Sequence, residues 1–543
     1  MKRLNLIVAA VILTSLTVTA LTVQQASAEP VKNGYYLYSF DVDADGRMLV
    51  KILFHAEGGG SSWLLVPKQG VFVNWTYTEL RGSLTLKDLS EVKPEPHYFY
   101  LNFSFGYSPD EYGVFELEIS YGTSYGAFII EPEGFFYSTQ IGFDRGFDGR
   151  AEVLLPEGAL GDGLSLLGKA EVGVEHGRVR LRFNGLSGFD RLAVGFKVSS
   201  TPRMVRISKG IFRFEGPERY LPLAERILNL YNEAYPILSR VYGVDLESIE
   251  LRFFPPSLEL LRTGMSGYVP FLAGERPGAI HLNLFYVRAA SGFMEVVAIH
   301  ELSHHFTWKV GFKPAKLWVH EGLAEYFGVN VALQLGYREG VEEHLRRLKE
   351  AMEATGGNYG FIQFWRPTQY VVNPVVYYAA SYGVFKALAE KYGGYDFYRR
   401  FFELVKGFGG VDDDCLIVSY LSKAAGEDLF PVFKEWGFQV AKPGEEGYVE
   451  AAVRMMVEEA RLRAGEINGV FLKPAKGIVE GLTGIATTLL RLGLFEQARY
   501  LVALSNWVLS MPAVASTAYY LVMLTLIAIA VKQNFYHRRG FKG

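Results

Sequence analysis

Residues 300–305 read HELSHH, and a fourth histidine, His320, follows in LWVHEGLAEYFG (317–328). On a helix each residue turns about 100°, which sets His300 and His304 about 40° apart on one face and one turn apart in height. Two imidazoles so placed can grip one divalent ion, and Glu301, next in the chain, then stands where it reaches a bound water rather than the metal. That arrangement suits metal-assisted hydrolysis. His305 falls about 140° from His300, off the shared face, and is expected to pack or to support the site from behind. Beyond the Gly311/Pro314 break, 317–328 reads as a second helix with Glu321 in its first turn, close enough in sequence to fold back as a third ligand. Two histidines and one glutamate leave a position open for water, as a catalytic site requires and a structural one does not. His320 is therefore read as structural or substrate-adjacent, since a fourth protein ligand would close the site. Glu325 lies one turn after Glu321 on the same face and is placed to accept a hydrogen bond from the outer nitrogen of a metal-bound histidine, the alternative being an exposed surface carboxylate.

HELSHH followed by WVHEGLAEYF resembles the gluzincin zinc metallopeptidases of the peptidase MA clan, in particular the catalytic domain of aminopeptidase N and leukotriene A4 hydrolase, where HExxH is followed by NEGFA. The resemblance runs from GAIHLNLF (278–285) to VVYYAASYGVFKALAEKYGG (375–394). It implies His300, His304 and Glu321 as the ligands of one Zn²⁺ per chain, Glu301 as general base, and a peptide or protein substrate. It also implies Tyr378, with Ser381 three positions on, as the hydroxyl that donates to the reacting oxygen; Tyr377 is the neighbour that competes for this role, and both tyrosines simply packing is the remaining alternative. The family's exopeptidase motif GxMEN has no counterpart in GERPGAIHLNLF (274–285), where Glu275 is the one stand-in. Cleavage within an extended chain laid along an edge strand near 279–285 is thus as well supported as aminopeptidase action.

The elements that must position these residues belong to a chain of 543 residues, too long for one core, so several folded units are expected. The first 28 residues have a basic start, an apolar stretch and small residues at Ala26, Ser27 and Ala28, and are expected to be a signal peptide. From 29 to 204, short alternating runs such as HYFYLNFSFGY and VFELEISYG predict an antiparallel β-rich domain, with a hairpin turn rather than a calcium loop at Asp45-Gly46 in DVDADG. From 205 to 445 helices alternate with the strands ESIELRFF and GAIHLNLF, which predicts the α+β, thermolysin-like and mainly helical metallopeptidase domain that the resemblance implies. Residues 446–509 read as a helical stalk, 510–532 as one transmembrane helix, and 533–543 as a basic cytoplasmic tail, which leaves the catalytic domain outside the cell membrane. The sequons at Asn74 and Asn102 are compatible with export.

A formal charge of -3 speaks against a nucleic-acid partner. The single cysteine, Cys415, rules out an intrachain disulfide, so any metal site must draw on histidine and carboxylate ligands. Two other functions compete with a peptidase: a non-catalytic, membrane-tethered binding or scaffold module with a structural zinc, and a zinc hydrolase of non-peptide bonds.

Overall fold

Strict alternation of apolar and polar side chains builds the N-terminal part. In GYYLYSFDV (Gly34–Val42), MLVKILFHAE (Met48–Glu57) and VFELEISYGT (Val114–Thr123), every second side chain is buried. The chain, a computed structural model, is described over residues 33–68, 74–95, 98–272, 276–366, 373–407, 409–444 and 446–539; the expected signal peptide and Glu275 lie outside these residues. Gly34–Val42 and Met48–Glu57 form a hairpin whose turn is tied by Asp43, its Oδ1 accepting from the backbone N–H groups of Asp45 and Arg47 at 2.9 Å each, with Gly46 at φ 81°. The calcium-loop alternative therefore gives way to the turn.

These strands belong to a seven-stranded sheet that faces smaller sheets across a core of aromatic side chains, among them Tyr36, Tyr38, Phe40, Phe54, Phe103 and Phe105. Burying each such ring contributes about 1.5–3 kcal/mol. The sheet is not wholly antiparallel as expected: Gly34–Val42 pairs in parallel with Asp148–Leu154. A parallel neighbour requires a long return of the chain, here the intervening strands, and alternation within one strand carries no trace of it. Asn74 is exposed, whereas Asn102 sits half-buried within a strand with its Nδ2 donating to Ser104 Oγ at 3.2 Å.

A second sheet has the order Met204–Lys209, Phe212–Pro217, Ile249–Phe254, Ile280–Asn283, Gly267–Tyr268. Its middle strands run parallel and its outer pairs antiparallel. Helices α1 (Leu221–Tyr242) and α2 (Leu258–Thr263) precede the helical layer of α3 (Phe293–Val310), α4 (Leu317–Gln334), α5 (Glu339–Glu353), α6 (Pro374–Tyr392), α7 (Tyr395–Val405), α8 (Asp414–Ala425) and α9 (Phe430–Glu435). α1 ends at Gly243 in the left-handed region, which glycine adopts without a Cβ penalty. One apolar cluster runs through the sheet and these helices and extends into the β-rich part through Tyr98, Tyr100, Phe128 and Tyr137, where buried Arg288 donates to Tyr137 O at 2.7 Å.

The predicted stalk consists of α10 (Glu446–Glu466), α11 (Lys473–Arg491) and α12 (Phe495–Ser510), which pack on one another around Val453, Val457, Val479, Leu490 and Val502. The expected transmembrane helix falls on α13 (Pro512–Arg539), where Leu521, Val522, Leu524 and Ile527 are exposed. Among the described residues no single helix is long and apolar enough to cross a membrane. α12 and Pro512–Ile527 pass that test only as a pair, bent by 98° where Pro512 ends the preceding helix. The side chains of α13 are described only as far as Ile527, part-way through the apolar run that predicted the span.

Candidate metal centre

α3 begins where the Glu295 carboxylate accepts from the Gly292 N–H at 3.0 Å, the glutamate half of a capping box, and it ends at Gly311. α4 starts six residues later and crosses back over α3, closely enough that a Cβ at Gly328 would lie 2.9 Å from Val296 O and 3.3 Å from His300 Cβ. A side chain at 328 would push the two helices, and His300 with them, apart. The start of α4 is held by Asp414 of α8, a buried carboxylate that accepts from Trp318 Nε1 at 2.8 Å and Gln363 Nε2 at 3.0 Å and pairs with Lys316 Nζ at 3.0 Å. Glu321 opens the second turn of α4 rather than lying in its first.

The helix crossing brings His300, His304 and Glu321 together, with one donor atom from each within 4.8 Å of the others. His300 Nε2 is 3.1 Å and His304 Nε2 3.7 Å from Glu321 Oε2. Two imidazoles and one carboxylate, buried or nearly so, form a donor set suited to zinc and leave room for a fourth, non-protein ligand. The outer nitrogen of His300, Nδ1, lies 3.0 Å from Glu325 Oε2. Glu325 is 5% exposed, so the surface-carboxylate alternative fails and the carboxylate orients the imidazole.

The electrostatics fit a site shaped for a cation. Burial opposes charge on His300, but its hydrogen bonds to Glu321 and Glu325 hold its pKa well above the usual histidine range. Burial, reinforced by the neighbouring histidines, keeps that of His304 well below it. Glu301 is excluded from the donor set and is pushed up to about 8 by burial, with Glu321 and Glu325 adding to the effect. Its Oε2 is buried with no hydrogen-bond partner among the described residues, an orphan that a cation or a polar ligand would satisfy.

His305 and His320 are buried, and burial lowers each to about 4. Neither joins the metal group. His320 Nε2 lies 3.4 Å from Phe312 O, and its ring is 5.8 Å from that of His304 and 5.7 Å from that of Phe271. The two tyrosines share Trp365, 5.0 Å from Tyr378 and 5.3 Å from Tyr377, and differ in their other neighbours. Tyr378 lies 6.2 Å, ring to ring, from His300, and the charge of Glu321, followed by burial, raises its pKa well above the usual value. Tyr377 packs against Phe361 at 4.9 Å and Trp365 at 5.3 Å.

Three features escaped the sequence. The strand Ile280–Asn283 is not an edge, because Gly267–Tyr268 pairs along it and takes that place among the described residues; Tyr268 stacks on His281 at 4.5 Å. A Cβ at Gly267 would lie 2.8 Å from Glu301 Oε1, so this short strand lies directly against Glu301. His344 on α5 is hydrogen-bonded through Nε2 to Glu325 Oε1. Asp414 was the third; a lone histidine in EEHLRRLKE and a carboxylate in VDDDC offered no pattern that would single them out.

No family model matches the chain, and no curated protein matches it in sequence. Among solved structures it is similar to the M1 zinc metallopeptidase from Deinococcus radiodurans, at 14% identity over 76% of this chain and 95% of that one, with a TM-score of 0.27. A mutant two-domain M1 zinc metallopeptidase bound to L-tryptophan matches at 13% identity over 76% of this chain and 96% of that one, TM-score 0.28. A mutant of the Deinococcus radiodurans enzyme bound to the substrate Tyr-Ser-Ala matches at 14% identity over 75% and 94%, TM-score 0.28. Likeness this loose places no individual residue, so the functional reading rests on the side chains of the site itself.

Proposed function

We propose that the chain is a zinc-dependent peptidase, with His300, His304 and Glu321 holding the ion. The observation that carries this reading is the position of Glu301: adjacent to the three donors, outside their set, and with a buried carboxylate oxygen left without a partner. Zinc, when bound, acidifies a water and polarises the scissile carbonyl. Glu301 takes a proton from the attacking water as its oxygen bonds to the carbonyl carbon, and passes that proton to the leaving nitrogen as the C–N bond breaks. The Tyr378 hydroxyl donates to the oxygen on which negative charge develops. Glu325 fixes the orientation of His300, and the strand Gly267–Tyr268 offers its outer edge to an extended substrate beside Glu301. A purely structural zinc needs no polar group poised beside the ion, and the unpartnered Oε2 of Glu301 weighs against it.

The same proposal places the catalytic part outside the membrane, tethered through the C-terminal apolar helix; the uncharged run Met511–Val531, the basic residues after it and the exposed apolar side chains of α13 support this. The decisive experiment pairs Glu301→Gln with a chelator-controlled peptide-library screen. The variant retains zinc and loses turnover by at least about 10²-fold, the contribution of a positioned general base. Undiminished hydrolysis by Glu301→Gln refutes the scheme, and zinc without peptide cleavage by the unaltered protein refutes the substrate class.

A further inference from the structure

Glu325 is buried, accepts from His300 on one oxygen and has His344 on the other. A buried carboxylate held by a single imidazole would leave its second oxygen desolvated and unpaired, at a cost of about 1–3 kcal/mol or more for a charged group. It would then protonate, rotate away or draw in water, and in each case its grip on His300 Nδ1 would loosen. His344 supplies the missing donor from a different helix. α5 is itself anchored: a Cβ at Gly340 would meet Ala290 O at 2.6 Å, Glu339 binds Lys68 Nζ at 2.7 Å, and Glu343 lies 3.8 Å from Lys93 Nζ, both lysines belonging to the β-rich part.

We propose that His344 is a positioning residue for the metal centre: it fixes Glu325, and through Glu325 the imidazole of His300, so that the helix carrying His344 ties the ligand cluster to the β-rich part of the chain. This inference rests on the reading of His300, His304 and Glu321 as zinc ligands, but not on peptide cleavage. Histidines that bind metal through one nitrogen are commonly oriented by a carboxylate on the other. Here that carboxylate has an orienting partner of its own, and the network is only as firm as its outermost member.

The test is zinc affinity, read by competition with a chromophoric chelator on the full chain in detergent, without reference to activity. His344→Ala is expected to weaken zinc binding about tenfold, and Glu325→Ala by about 10–100-fold. Because His344 acts through Glu325, adding His344→Ala to Glu325→Ala costs nothing further; the two losses are non-additive. His344→Gln, whose amide nitrogen reaches the place of Nε2, stays near the unaltered affinity, whereas His344→Asn, one bond shorter, behaves like His344→Ala. Should the alanine variant fail to fold, the Gln and Asn pair carries the test. Equal affinities in Gln and Asn, an unchanged affinity in His344→Ala, or an undiminished loss in the Glu325→Ala background overturns the proposal. If the unaltered chain itself binds no zinc, it is the metal-site reading that fails instead.

Discussion

The most searching perturbation is a single methyl group. An alanine Cβ at 267 would sit 2.8 Å from Glu301 Oε1, 3.0 Å from Glu301 Cγ and 3.1 Å from His281 O. Comfortable separations are about 3.5–4 Å, so something must yield by roughly 0.5–1 Å. The His281 carbonyl is backbone, in a strand paired to Gly267–Tyr268, and moving it would break that pairing. The Glu301 side chain yields instead, although at 5% exposure it has little room. Displacing a catalytic group by about 1 Å costs on the order of 10²-fold, which corresponds to about 2.7 kcal/mol in the barrier. Strain of this kind removes a further ~1–3 kcal/mol of stability. Glu301 is not among the metal donors, so zinc content should not change. The assay is kcat and KM for a cleaved library peptide on zinc-loaded Gly267→Ala, with metal content measured on the same sample. Wild-type kcat in that sample would show that the strand does not constrain Glu301. Loss of zinc alongside activity would show that the site had collapsed rather than lost its base.

Other outcomes follow from neighbouring contacts. Tyr378→Phe should lower kcat by about 10²-fold at unchanged zinc content, as loss of one donor to a developing oxyanion does, while Tyr377→Phe stays near wild type; the reverse order would exchange their roles. Asp414→Ala strands the donors of Trp318, Gln363 and Lys316 and should cost about 3–5 kcal/mol in denaturant unfolding; a loss below about 1 kcal/mol would mean that α4 is anchored elsewhere. The Glu301 carboxyl, raised by burial from 4.5 to about 8, favours folding of the metal-free protein most strongly below pH 4.5, and that contribution fades as the pH climbs through about 8. Metal-free wild type should therefore lose stability relative to Glu301→Gln across this window, by a few kcal/mol at most; parallel pH profiles of the two would contradict the shift.

The ligand cluster was legible because its three donors ride on two consecutive helices, where the 3.6-residue period fixes which side chains share a face. Periodicity likewise placed Ile280–Asn283 as a strand, yet it could not say what lies beside that strand. Pairing is a long-range choice, and the two-residue partner Gly267–Tyr268 is too short to show alternation. The parallel neighbour of Gly34–Val42 was invisible for the same reason. His344 and Asp414 were hidden differently. His344 lies among charged residues on a helix whose exposed face explains such composition, and Asp414 is one of three consecutive aspartates of which nothing in the sequence marks the one that the fold buries. Glu325 could be read because it shares a face with Glu321, and the choice between Tyr378 and Tyr377 waited on which side of α6 meets His300.

The three candidate donors, His300, His304 and Glu321, lie in one contiguous hairpin, α3 and α4, joined by a short connection. Loop-closure entropy for so brief a segment is small, and helical hairpins assemble quickly from local contacts. Glu301 lies in the same hairpin, but the groups that flank or support the site come from outside it: Gly267 from an earlier strand, Tyr378 from α6 and His344, through Glu325, from α5. The donor cluster therefore forms from contacts between neighbouring helices, whereas its surroundings need the strand Gly267–Tyr268 and two later helices in place.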